Sequence, residues 1–192
     1  MCRKEQSMDN GASSYHRFLG GDKEAFAEIV EMYAHNLTFF INRFVGNLSV
    51  AEDLTEDSFC DLIIYTNRFK GQSSFKTYLF SIARNKAVDY IKRNSKIFNI
   101  NDDELERQLI DTSELERELL ANERKQTVNK ALSEINADYR TVLHLLYFEE
   151  VTYEQMALIM NKNKRQIKNL VYRAKHALQT VMEKDGFIYE EL

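Results

Sequence analysis

No proline occurs among the 192 residues, and only six glycines do. Sheet-rich domains and long ordered loops rely on both residues at their turns, so this chain is suited to helices joined by short connections. Apolar residues make up 44% and charged residues 29%, which allows a packed core and argues against wholesale disorder. The length fits one ordinary domain or two small ones. Apolar runs such as Phe39-Phe40-Ile41 and Leu62-Ile63-Ile64-Tyr65 are far too short to cross a bilayer. Met1-Cys2-Arg3-Lys4-Glu5 leads into polar residues without the apolar stretch of a secretory signal. Cys2 and Cys60 have neither metal nor redox spacing and build no disulfide framework. A cytoplasmic, soluble chain is expected.

Periodicity divides the sequence. Residues 1–16 are polar and are expected to form a flexible N-terminal tail. From Asp22, the residues Phe26, Ile29, Val30 and Tyr33 follow a helical stripe, and Leu37, Phe40, Ile41 and Phe44 repeat it. Gly46-Asn47 breaks the pattern, and Ser49 is the expected N-cap of a third helix with Leu54, Phe59, Leu62 and Ile63 inward. Cys60, in that apolar context, is expected to be a small buried residue. Ser74 is positioned to cap a helix from Phe75 to about Arg93.

Between Ser95 and Arg124 nine acids face four bases, which predicts an acidic linker with a helix restarting near Ser113 or Glu114. Periodicity returns from Lys125 to Met182, with Val128, Leu132, Ile135, Val142, Leu145 and Leu146 inward. The expected organisation is all-α. A first domain spans 17–94, the linker 95–124, a second domain 125–182, and a tail 183–192.

Thr152 to Leu178 has helix-turn-helix spacing. Small Ala157 sits where crossing helices must approach, Asn161 tolerates the left-handed turn, and Ile167 plugs the second helix. The net charge of −4 hides a strong segregation. From Asn161 to Met182 there are six basic residues and no acidic one. Such a helix fits the major groove, with cations toward phosphates and Asn, Lys or Arg toward base edges.

Arg68 to Arg93 holds seven cations against Asp89 alone, interleaved with Phe69, Phe75, Tyr78, Phe80 and Tyr90. Cations and rings together suit a single-strand platform, although several of these rings are equally readable as core. Phe69, at a loop tip, is the ring expected to be free for function. Upstream, Asp53, Asp57 and Asp61 share a helix face, with Glu52 and Glu56 beside it. Either solvent or a basic partner surface offsets that charge. His16, His35, His144 and His176 show no metal-ligand spacing, and there is no phosphate-binding glycine loop or nucleophile elbow. The sequence offers no catalytic residue, no cofactor site and no small-molecule substrate.

Ala51 to Phe59 and Phe69 to Asn85 together resemble region two of bacterial sigma factors, in the extracytoplasmic-function (ECF) group of the sigma-70 family. Ala131-Leu132, Tyr139-Arg140 and Tyr172-Arg173-Ala174 resemble region four of the same group. The resemblance implies a transcription initiation factor without enzymatic activity, whose partners are core RNA polymerase and promoter DNA. An anti-sigma factor is a further partner common in the group. By position, Asp53, Leu54, Glu56 and Asp57 correspond to the surface that docks on the polymerase clamp. Phe69, Lys70, Ser73, Ser74, Lys76, Tyr78, Arg84, Asn85 and Arg93 correspond to the surface that holds the melted minus-ten strand. Lys164, Arg165, Lys168, Asn169, Tyr172, Arg173 and Lys175 correspond to the helix that reads the minus-thirty-five duplex. Tyr78 replaces a frequent tryptophan, Glu150 a frequent glycine, and Met160-Asn161 a usual Leu-Gly.

The residues alone also admit a helix-turn-helix regulator with an N-terminal sensor or dimerisation half, binding duplex without polymerase. They admit a protein-only adaptor as well. The order of an acidic face followed by an aromatic, basic one speaks for the sigma resemblance.

Overall fold

The computed structural model describes residues 10–98 and 123–184. The expected helix restart near Ser113 lies outside them, as do most of the linker and the C-terminal tail. Among the described residues there is no strand. The chain runs α1 (Asn10–Leu19), α2 (Glu24–Val45), α3 (Leu48–Ile64), a short 3-10 turn (Thr66–Arg68) and α4 (Phe75–Phe98). It continues as α5 (Glu123–Glu134), α6 (Ala137–Tyr147), α7 (Tyr153–Ile159) and α8 (Lys164–Lys184).

The first four helices pack around α2, whose stripe Ile29, Leu37, Phe40, Ile41 and Phe44 is buried against α3 and α4. Burying a large apolar side chain contributes about 1.5–3 kcal/mol, so this seam is the main source of cohesion. Gly46 ends α2 in the left-handed region at φ 64°, and its N–H reaches the Asn42 carbonyl. Asn47 then caps α3, accepting from the Val50 N–H at 3.1 Å. Ser49 was expected in that role. The cap falls two residues earlier because the helix starts directly at the joint, leaving Asn47 as the extended residue before it. Ser74 caps α4 as expected, accepting from the Thr77 N–H at 3.1 Å.

Four expectations fail for identifiable reasons. Residues 10–16 are helical, not tail: Tyr15 is fully buried and its hydroxyl donates to the Leu62 carbonyl at 2.9 Å. Gly11 allows α1 to come this close, since a Cβ there would stand 2.5 Å from the Tyr33 hydroxyl and 2.7 Å from the Phe75 ring. Ile63 is 48% exposed and Cys60 is exposed. Each follows a buried neighbour, Leu62 or Phe59, and the 100° step per residue turns it off the inward stripe. Phe69 is half-buried, not a free loop tip: its ring lies 5.9 Å from Tyr15, 5.5 Å from Phe75 and 5.2 Å from Tyr78. The unexpected α1 supplies Tyr15 beneath it.

In the second domain, α8 packs on α5, α6 and α7. Thr152 and Gln155 form a reciprocal capping box at α7. Asn163 and Gln166 repeat the arrangement ahead of α8, with bonds of 2.8 and 2.9 Å. Asn161 takes φ 51°, the left-handed turn expected between the two helices, and Ile167 plugs the core at 0% exposure. Glu150 also takes φ 51°, between α6 and α7. The two domains touch: α4 packs on α7, and α2 on α6.

Candidate nucleic-acid and protein interfaces

On α3, Glu52, Asp53, Glu56 and Asp57 are all exposed, and none has an ion pair among the described residues. Leu54 beside them is half-buried. Asp61, on the inner flank of the same helix, is tied to Lys86 of α4 at 3.2 Å. Like charges at i, i+4 weaken an isolated helix by a few tenths of a kcal/mol, and here tertiary packing through Thr55, Phe59 and Leu62 holds it. The result is a stable helix presenting a bare anionic face.

Around the Phe69–Ser74 loop, the rings of Phe69, Tyr78, Phe75 and Tyr15 form one cluster. Burial pushes the Tyr15 phenol up to about 12 and raises Tyr78 as well. Both stay neutral hydroxyls. The Tyr78 hydroxyl and Arg84 Nε are buried without a hydrogen-bond partner. Lys70 is exposed at the loop, Asn85 and Arg93 are exposed along α4, and Ser73 is half-buried. Tyr78 and Asn85 are seven residues apart and so share a helix face.

Lys76 does not join that face. Two residues before Tyr78, it is rotated about 200° from it and continues instead into the buried stripe of Phe80, Ala83 and Ala87. Its Nζ lies 2.6 Å from Glu149 Oε2 and donates to the Glu149 backbone carbonyl at 2.9 Å. Ser74 likewise meets the second domain, accepting from Gln155 Nε2 at 3.3 Å. The nine residues of the sequence-based minus-ten set therefore fall into a loop-and-ring group and a pair turned toward the second domain.

Helix α8 exposes Lys164, Arg165, Lys168, Asn169, Tyr172, Arg173 and Lys175, with Tyr172 at 73%. Its inward stripe is Ile167, Val171, Ala174 and Met182. Lys164 pairs with Glu154, and that contact holds the Glu154 carboxyl below its usual range. Lys175 lies over the Tyr147 ring at 5.5 Å. Arg165, Lys168 and Arg173 carry no ion pair among the described residues. A polar recess lined by Tyr139, Lys162, Gln166, Asn169 and Arg173 adjoins this face, and Lys162 pairs there with Asp138 at 3.2 Å. All seven predicted residues share one outward surface.

Sequence reasoning missed the domain junction. Glu149 is buried on the turn before α7, with Asn36 Nδ2 3.5 Å from its Oε2 and His144 Nε2 3.3 Å from its Oε1. The His144 contact is poorly aligned, and neither ring nitrogen is hydrogen-bonded. Burial would raise the Glu149 carboxyl, but His144 and Lys76 outweigh it and hold it below the usual range. Burial pushes the His144 imidazole down, and the charges of Arg43 and Lys76 oppose the upward pull of Glu149. Lys76 is thus the ion-pair partner of Glu149, and the His144 ring lies 6.1 Å from Phe40 and 5.2 Å from Phe148.

Family models for Sigma-70 region 2 and for Sigma-70, region 4 match residues 29–97 and 125–178. The chain is 29% identical over 171 residues to RNA polymerase sigma-H factor of Pseudomonas aeruginosa, covering 85% of this chain and 89% of that one. It is 27% identical over 157 residues to the ECF RNA polymerase sigma factor SigM of Bacillus subtilis, covering 80% and 93%. The fold matches the sigma factor RpoE solved with the anti-sigma factor NepR from Bartonella quintana, at TM-score 0.64 and 23% identity over 82% of this chain and 96% of that one. It also matches CnrH in complex with the cytosolic domain of CnrY, at TM-score 0.63 and 16% identity over 92% and 96%. The chain belongs to the sigma-70 family of RNA polymerase sigma factors, in its ECF group. Its two helical domains are sigma region 2 and sigma region 4.

Proposed function

We propose a division of labour among the charged faces of this sigma factor. The domain built on α1 to α4 and the domain built on α5 to α8 act as the two working units, joined by the acidic linker segment. Asp53, Leu54, Glu56 and Asp57 bind core RNA polymerase. Phe69, Tyr78 and Asn85, flanked by Lys70, Ser73, Arg84 and Arg93, hold the melted minus-ten strand against the ring cluster. The seven exposed residues of α8 read the minus-thirty-five duplex. The protein performs no chemistry itself, needs no cofactor or small-molecule substrate, and works in the cytoplasm. Among the described residues no helix is long and apolar enough to cross a membrane. An anti-sigma factor is a further partner consistent with the reading.

The observation that carries this assignment is the segregation of unpaired charge: bare acids on α3 of one domain and, on α8 of the other, an outward basic face with no acid before Glu183. Cations without internal partners are available to release counterions from phosphate, and bare acids to meet a basic protein surface. Run-off transcription with purified core polymerase over a genomic promoter pool tests the reading. A discrete set of start sites dependent on the added chain supports it. Transcription indistinguishable from core polymerase alone overturns it.

A further inference from the structure

The Lys76–Glu149 pair joins residues 73 positions apart and belongs to neither DNA-facing surface. The Glu149 side chain is only 2% exposed, and two of its three polar neighbours, Lys76 and Asn36, come from the other domain. Parting the domains would return the Lys76 ammonium and the Glu149 carboxylate to water together, so neither charge is stranded by opening. Removing Lys76 alone leaves the Glu149 carboxylate buried and uncompensated in the closed form, and removing Glu149 alone costs the half-buried Lys76 its charged partner. Such a contact holds two bodies together while remaining reversible. Gln155 to Ser74 and the Phe40–His144 ring contact flank it on either side.

The closed arrangement conflicts with the geometry of the promoter. Elements at minus ten and minus thirty-five lie about 25 base pairs apart, or roughly 85 Å along a duplex at about 3.4 Å per pair. Compact domains of this size have radii of gyration on the order of 12–13 Å, so two in contact span far less than that. We propose that Lys76, Glu149 and Asn36 form a latch that closes region 4 onto region 2 in the free chain and opens when polymerase is bound. The latch requirement rests on the proposed promoter reading; the latch contact itself does not. A largely closed chain lowers the apparent affinity for any partner of the open state by the open fraction.

The test is a distance measurement in the full chain. Spin labels go on the exposed Cys60 of α3 and on a cysteine introduced at the exposed Gln179 of α8, with Cys2→Ser removing the third thiol. The parent chain should give a short, narrow distance distribution. Glu149→Gln should lower the closed-to-open ratio about tenfold, the response to losing one charge-assisted contact of about 1.4 kcal/mol. Asn36→Asp, at an exposed position on α2, faces Glu149 with a like charge and should open the chain without touching either core. Lys76→Glu and Glu149→Lys should each open it, and the two together should restore the short distance. Core polymerase added to the parent chain should shift it to the long distance. Folded variants that keep the parent distribution overturn the latch. Variants that open, with parent distances unmoved by bound polymerase, overturn its release by polymerase while leaving the promoter reading to the transcription assay.

Discussion

The outer faces of this sigma factor and its inner junction use the same residue types in opposite ways. On α3 and α8, Glu52, Asp53, Glu56, Asp57, Arg165, Lys168 and Arg173 stand in water without ion pairs among the described residues, and the helices beneath them are held by apolar stripes. At the junction, a buried glutamate is paired with a half-buried lysine from the other domain. An exposed charge contributes little to stability and remains available to a partner. A buried pair is a poor source of net stability but a stringent one, because either half alone is costly. The outer charges therefore set what the protein binds, and the inner ones set its shape.

The sharpest division predicted by this contrast is at α8. Lys168→Ala with Arg173→Ala should weaken recognition of a minus-thirty-five duplex by holoenzyme roughly a hundredfold, and flatten its salt dependence by about one unit per cation removed. The label distances in the free chain should not change. Next, Asp53→Ala with Asp57→Ala should reduce affinity for core polymerase by about tenfold or more in a fluorescence titration, again without moving the domains. A change in distance with either double variant would break the separation of outer from inner charges.

Acidification should act on the junction alone. Burial holds His144 below its ordinary value in the closed chain, whereas an opened chain would expose it near about 6.5. As pH falls through that value the open form gains a proton that the closed form resists, so closure weakens. Glu149, also held low, adds to the loss only below the ordinary carboxylate range. The charged groups around His144 are Glu149, Lys76 and Arg43, with Arg140 lining the same cavity. Between pH 7.5 and 5.5 the closed fraction should drop, with a closed-to-open ratio lowered by up to about tenfold. The smallest effect belongs to the half-buried Lys162–Asp138 pair at the surface, where Asp138→Ala should lower the unfolding free energy measured by chemical denaturation by less than about 0.5 kcal/mol.

Local rules made much of the second domain legible beforehand. Asn161 at the turn, Ile167 in the core and the basic outer face of α8 are each decided within a few residues, where helix period and turn sterics act. The exposed acids of α3 follow from the same period. Helix α1 escaped because it is short and largely polar: two rings, Tyr15 and Phe18, anchor it, and the rest of its close approach depends on the side chain that Gly11 lacks, which no apolar pattern reports. Lys76 was grouped with Tyr78 by counting cations along a segment, a count that ignores helix phase. Glu149 and Asn36 carry no local mark at all. Their meaning arises from a pairing across 113 residues, which periodicity cannot report.

The ring cluster under the Phe69 loop has an optical consequence. The chain has ten tyrosines and no tryptophan, so its intrinsic ultraviolet emission is tyrosine emission, unobscured by indole. Tyr15 and Tyr78 both sit in that cluster. A nucleobase settling on the cluster at Phe69 and Tyr78 would quench Tyr78 directly, giving a dye-free signal for strand capture on the timescale of mixing.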